Sequence, residues 1–298
     1  MPASQQRSRV HLKKILYLTD FSEPSEAALP FAISIARKPG AHLHALHVLL
    51  PCPSVSTTPV PTAIAIACEE EGAQADLERL NSQLAGVPHD TAIERALGVW
   101  DAVERAIEDL PADLFVLGTH GRTGREKRLL GSVAEQIFRR SPVPVLTIGP
   151  QVRQGMHTAV DFHRVIFATD FTPGSSAAAP YAVSLAEQNR GRLILLHVIK
   201  PPPQDKKATR AELSVAEALH KLYETVPGHT DFASAPEVAV EFGDPGERVV
   251  QIAKQRHADL VVLGARASIH PEAVTHPGRR TAHKVVARAP CPVLTVCG

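Results

Sequence analysis

Chemistry is concentrated in one loop of this sequence, Gly118-Thr-His-Gly121-Arg-Thr-Gly124-Arg-Glu-Lys-Arg-Leu-Leu-Gly131-Ser132. It follows an apolar, strand-like run ending at Leu117 and precedes a helical pattern in which Val133, Ile137 and Phe138 form an apolar stripe. Gly118, Gly121 and Gly131 carry no Cβ, so the backbone there can approach an anion closely. A helix opening at Ser132 aims unpaired N–H groups and the positive end of its dipole at the same place. Arg122, Arg125, Lys127 and Arg128 add positive charge. The chemistry implied is phosphate binding. On the glycines alone a solvated turn explains the loop equally well, and it is their placement between a strand and a helix that favours a cradle.

Asp20 is the second candidate. It ends the apolar run Lys14–Thr19, and a carboxylate at a strand's carboxyl end can accept from an adenine amino group. Its competing role is a helix N-cap or a turn aspartate ahead of Pro24. His42, His44 and His47 share one strand pattern, but period two puts His42 and His44 on one face and His47 on the other, so they form no three-ligand site. The four cysteines are widely spaced, with no C-x-x-C pair, which reads as free thiols in a reducing compartment rather than a disulfide or zinc framework. Trp100, beside Gly98, reads as core or rim packing.

The elements that position these residues occur twice. Ile15–Val48 lies over Val165–Val198 without a gap at a displacement of 150 residues: Thr19-Asp20-Phe21 falls on Thr169-Asp170-Phe171, Ser25 on Ser175, Pro30 on Pro180, and His47-Val48 on His197-Val198. Asp113–Gly118 matches Asp259–Gly264, and Ser141–Ile148 matches Ala289–Val296. The reading is a duplicated domain, with domain one at 10–149, a linker at 150–162 and domain two at 163–298. In the first copy, strands are expected at Lys14–Thr19, Leu43–Leu49, Ala92–Leu97, Leu114–Gly118 and Val143–Ile148. Helices are expected at Glu23–Arg37, Ala63–Leu84, Trp100–Asp109 and Ser132–Arg140, with Ser22 and Asp101 as capping signals. This alternation implies right-handed crossovers and a parallel sheet, whose ligands bind beyond the carboxyl ends of the strands where strand order reverses.

Composition narrows the function classes. Across 298 residues, 44% are hydrophobic and 21% charged, and the net charge is +1. That is ordinary for a soluble chain of about two domains, without the basic bias of nucleic-acid or anionic-membrane binders. No apolar stretch approaches the roughly 18 residues a membrane span requires, and Met1–Arg9 lacks the apolar core of a secretion signal, so the expected location is the cytoplasm.

G-x-x-G followed after nine residues by G-[ST], filled by Gly118, Gly121, Gly131 and Ser132, resembles the ATP-binding signature of the universal stress protein family. Residues 15–22, His47-Val48 and the Pro142-Val-Pro-Val-Leu run resemble the family's other marks, and the likeness covers nearly all of both copies. It implies an α/β fold of two tandem, doubly wound, open parallel five-stranded sheets, adenine nucleotide alpha hydrolase-like with strand order 3-2-1-4-5. In single-domain relatives the last strands of two subunits pair, which implies an intramolecular pseudo-dimer here, with further homodimerisation open. By the same resemblance Asp20 and Val48 contact the adenine. Gly118, Thr119, Gly121, Arg122, Gly131, Ser132 and Val133 complete the nucleotide site, holding ribose and phosphates. The ligand implied is ATP, with or without Mg²⁺, and the function is that of a cytoplasmic stress-response regulator with an unidentified protein partner.

The second copy keeps Asp170, Val198 and Gly264, but Ala267 replaces Gly121, the loop is two residues longer, and Arg279-Arg280 align with Gly131-Ser132. It reads as a degenerate scaffold, or as a pocket for another anion held by Arg266, Arg279 and Arg280. There is no H-x-G-H, S-G-G-x-D-S or G-x-x-x-x-G-K-[ST] sequence, which argues for a binding module over a nucleotidyl or phosphoryl transferase. A weak ATPase and a scaffold that binds no nucleotide are the alternatives.

Overall fold

Runs such as Ile15–Leu18 and Leu114–Leu117 are apolar at every position because both faces of their strands are covered, as parallel sheets require. A computed structural model describes residues 10–51, 62–119, 130–152, 161–200, 208–226, 232, 234–265 and 277–297. In the first copy the order is β1 (Lys14–Thr19), α1 (Glu23–Glu26), α2 (Leu29–Ala36), β2 (His42–Leu49), α3 (Thr62–Gln83), β3 (His89–Arg95), α4 (Val99–Asp109), β4 (Leu114–Gly118), α5 (Ser132–Arg140) and β5 (Val145–Ile148). The second copy repeats it as β6 (Arg164–Ala168), α6 (Pro173–Ser176), α7 (Ala179–Gln188), β7 (Arg192–Ile199), α8 (Ala208–Thr225), β8 (Glu237–Phe242), α9 (Pro245–Gln255), β9 (Leu260–Ala265), α10 (Pro277–Arg288) and β10 (Val293–Cys297).

Each copy has the strand order 3-2-1-4-5, and the two sheets are continuous: the ten strands run β3-β2-β1-β4-β5-β10-β9-β6-β7-β8. Every pairing within a copy is parallel, and only the seam is antiparallel, with Val293 opposite Thr147, Leu294 opposite Leu146 and Thr295 opposite Val145. Two buried threonines reinforce it. Thr147 Oγ1 donates to the Val293 carbonyl at 3.1 Å, and Thr295 Oγ1 donates to the Val145 carbonyl at 3.2 Å.

On one face a single core runs through both copies, joining Ile15, Phe31 and Ile35 to Phe167, Leu185 and Leu195. On the other face each copy has its own core, linked by Leu130, which packs against both, and by Phe138 of α5, which sits in the second copy's core and meets the His283 ring edge-on at 5.1 Å. Trp100 packs in the first copy's core with Leu16, Val103 and Phe115.

Four expectations shift. The helix expected over 23–37 breaks into α1 and α2, because Pro30 lacks an amide hydrogen and opens α2 as a first-turn residue. The third strand ends at Arg95 rather than at Leu97, which is 89% exposed. The fifth starts at Val145 rather than Val143. The N-cap of α4 is Gly98, and Asp101 lies in its first turn, where a carboxylate complements the helix dipole.

Candidate functional site

The floor of the site is built where β1 ends. Tyr17 Oη donates to the Ser25 carbonyl at 2.8 Å, Thr19 Oγ1 and Ser25 Oγ lie 3.1 Å apart, and the Phe21 amide donates to Thr19 Oγ1 at 3.0 Å. Burial holds the Tyr17 hydroxyl neutral by raising its pKa well above the ordinary value. These bonds force Phe21 to φ 57, a left-handed backbone that a bulky residue rarely adopts. Its ring lies against His47 with centroids 4.6 Å apart, and His47 Nδ1 is 2.8 Å from the Thr19 carbonyl, which it meets as donor.

Within this turn Asp20 Oδ1 accepts from the Ser22 amide at 3.1 Å and from Ser22 Oγ at 2.5 Å. Asp20 is therefore a turn aspartate and not an N-cap, since the N-cap of α1 is Ser22. The second copy builds the same turn: Asp170 Oδ1 accepts from Thr172, Phe171 has φ 61, and its ring lies 4.4 Å from that of His197. The turn is thus a property of the fold, and in the first copy it fixes a carboxylate at the cavity.

Gly118, at the end of β4, has a different physical reason from the one its sequence context suggests. A Cβ there would fall 2.3 Å from the Pro24 carbonyl oxygen and 2.7 Å from its carbon. The first job of this glycine is to let β4 pass the α1 backbone. Gly264 stands in the same relation to Gly174 and Ser175. Beyond it the Thr119 amide donates to Ile148 and the Gly131 amide to Thr119, at 3.0 and 2.7 Å, so the loop leaves and re-enters beside β5. Gly131 is the N-cap of α5 at φ −62 and ψ 153, a conformation open to any residue, so the backbone there does not require glycine's flexibility. The first backbone bond of α5 runs from Glu135 to Gly131. The amides of Ser132, Val133 and Ala134 accordingly have no acceptor within the helix.

These elements enclose a cavity of about 620 Å³. Asp20, Val48, Gly118, Thr119, Gly131, Ser132 and Val133 all line it, while Gly121 and Arg122 lie outside the described residues. Cys68, Glu69, Gly72, Ala73 and Asp76 of α3 form a wall that sequence reasoning missed, together with Val99 and His47. The signal was there: Glu69, Gly72, Ala73 and Asp76 follow the i, i+3, i+4, i+7 spacing of one helix face, and a mid-helix glycine costs about 1 kcal/mol relative to alanine. A Cβ on Gly72 would meet nothing within 4 Å.

The histidines serve the sheet. His42 Nε2 is 2.7 Å from Asp90 Oδ2 on β3, and His47 is tied to Thr19. Burial lowers the pKa of His44, which keeps it neutral.

The family model of the universal stress protein family matches residues 11–149 and again 161–296. The chain belongs to the universal stress protein family. A universal stress protein of Methanocaldococcus jannaschii is 36% identical over 46% of this chain and 81% of its own length. One from Mycobacterium bovis is 29% identical over 70% of this chain and 71% of its own. The crystal structure of a universal stress protein from Archaeoglobus fulgidus superposes on 95% of this chain and 97% of its own with a TM-score of 0.66 at 22% identity, a likeness of fold.

In this universal stress protein the second copy differs at the helix that follows β9. Aligned from their carboxyl ends, α5 has 9 residues and α10 has 12, so α10 runs almost a turn further toward its N-terminus. Residues 278–280 lie inside the helix instead of ahead of it, and the amide-rich helix end that faces the first cavity is displaced. Loop residues 266–276, including Arg266 and Ala267, lie outside the described residues. Among those described, no helix is long and apolar enough to cross a membrane.

Proposed function

We propose that the first copy binds ATP in the cavity beyond β1, β2 and β4, and that the protein acts in the cytoplasm as a nucleotide-responsive regulator rather than as an enzyme. One observation carries this reading. The unbonded amides at the start of α5, the Asp20 carboxylate and the apolar side chains of Val48 and Val99 converge on one concave site, where strand order reverses and open α/β sheets bind their ligands. A volume of about 620 Å³ is within the range of small-molecule sites.

The arrangement divides the nucleotide by chemistry. The amides of residues 132–134 suit phosphate oxygens, and Val48 beside Asp20 offers an apolar face and an acceptor for a base bearing an amino group. Nucleotide seated between α3 and α5 would change the surface presented beyond the carboxyl ends of the strands, and a partner that reads this face would sense occupancy. The second copy completes the shared sheet and core, and its displaced helix end makes it a scaffold in this reading.

Trp100 is the chain's one tryptophan and follows Val99 of the cavity wall, so its fluorescence reports on the first copy alone. Titration with ATP is expected to give a saturable change that Gly131→Arg abolishes. A flat titration, together with no nucleotide recovered from native protein, would sink the proposal.

A further inference from the structure

We propose that the seam between the two copies holds a second site, for a small phosphate-bearing anion, separate from the nucleotide cavity. A cavity of about 470 Å³ opens where the carboxyl ends of α2 and α7 meet, and Arg37, Lys38 and Arg190 line it against the one carboxylate of Asp161. It lies at the internal two-fold. Lys38 and Gln188 are equivalent positions 150 residues apart, and they touch, with Lys38 Nζ donating to Gln188 Oε1 at 3.1 Å.

Two features point to a ligand. The half-buried Lys38 ammonium has a neutral amide as its hydrogen-bond partner; burial lowers its pKa, and Asp161 attracts it without an ion pair among the described residues. Arg190 is the second. It closes α7 as the left-handed cap residue at φ 48, with the Gly191 amide donating to the Ala186 carbonyl at 2.8 Å, and this places the arginine on the cavity rim beside Lys38. Among the described residues the Arg190 guanidinium has no ion pair. A bridging oxyanion would take hydrogen bonds from both cations, one from each copy, and tie the seam together.

The helix ends offer a competing explanation, because the carboxyl-terminal carbonyls of α2 and α7 attract cations without any ligand. Acylation of full-length protein with an N-hydroxysuccinimide ester, read at Lys38 by peptide mass spectrometry, separates the two. Inorganic phosphate and pyrophosphate are the probes, with chloride holding ionic strength constant. The site is expected to protect Lys38 equally well in wild type and in Gly131→Arg, and Arg190→Gln should weaken that protection about tenfold. In a Gly131→Arg background, thermal stabilisation by phosphate should disappear when Lys38→Met and Arg190→Gln are added. Equal acylation in phosphate and chloride, or protection unchanged by Arg190→Gln, would overturn the proposal and leave the cations to the helix ends.

Discussion

Gly118→Ala and Gly264→Ala together test whether the glycine ending β4 belongs to the fold or to the ligand. A methyl group at Gly118 would lie 2.3 Å from the Pro24 carbonyl oxygen and 3.0 Å from the Ser25 amide nitrogen, and one at Gly264 would lie 2.3 Å from both Gly174 O and Ser175 Cα. All of these are backbone atoms, so α1 or α6 must move away from its strand. Forced displacement of this kind costs about 1–3 kcal/mol. At about 2.1 cal/mol/K of unfolding entropy per residue, a chain of 298 residues unfolding as one unit shifts by about 1.6 °C per kcal/mol, so each variant should melt about 2–5 °C lower. Scanning calorimetry without nucleotide is the assay, with urea unfolding to confirm that the midpoint moves at constant slope. Were Gly118 kept for phosphate alone, Gly118→Ala would leave the apo midpoint unchanged and Gly264→Ala would do nothing. A Gly264→Ala midpoint within about 0.5 °C of wild type would refute the packing argument.

Gly72→Leu should raise the stability of α3 by about 0.5–1 kcal/mol through helix propensity while filling the cavity, so the protein melts higher and ATP affinity by Trp100 fluorescence falls at least tenfold; unchanged affinity would exclude α3 as a wall of the site. Asp113→Ala removes the acceptor of the Lys13 and Lys14 amides, at 3.0 and 2.9 Å, and should cost about 1–2 kcal/mol in urea unfolding. Burial pushes the Cys291 thiol up to about 12, so at pH 8 iodoacetamide should label the exposed Cys68 and leave Cys291 intact, as read by mass spectrometry. The same shift has a sign for stability. The unfolded thiol ionises from about pH 8.5 while the folded one stays protonated, so stability should fall as pH rises from there toward 12 and regain part of that loss in Cys291→Ala.

Where the sequence spoke clearly, each residue had one physical job. The Ile15–Val48 repeat carried strand, turn and strand in register, and β1, β4 and α5 form over Lys14–Thr19, Leu114–Gly118 and Ser132–Arg140 as the pattern implies. The α3 wall was harder to see because Cys68, Glu69 and Asp76 read as the solvated face of an amphipathic helix until the cavity behind them is in view. Asp20 and Gly118 each do two things. A turn bond or a backbone clash looks the same in sequence as a ligand contact, and the second copy reveals the structural half by keeping Asp170 and Gly264 beside a displaced helix end. The antiparallel seam of β5 and β10 depends on contacts 146 and 150 residues apart, which no local pattern encodes.

Calorimetric titration of ATP with Mg²⁺ into the full-length protein, in parallel with Gly131→Arg and Gly72→Leu, tests the central claim most directly. The expected result is one site per chain, lost in Gly131→Arg and weakened at least tenfold in Gly72→Leu, while each variant still unfolds cooperatively. Two sites per chain, or an affinity unchanged by both substitutions, would place the nucleotide elsewhere and contradict the account.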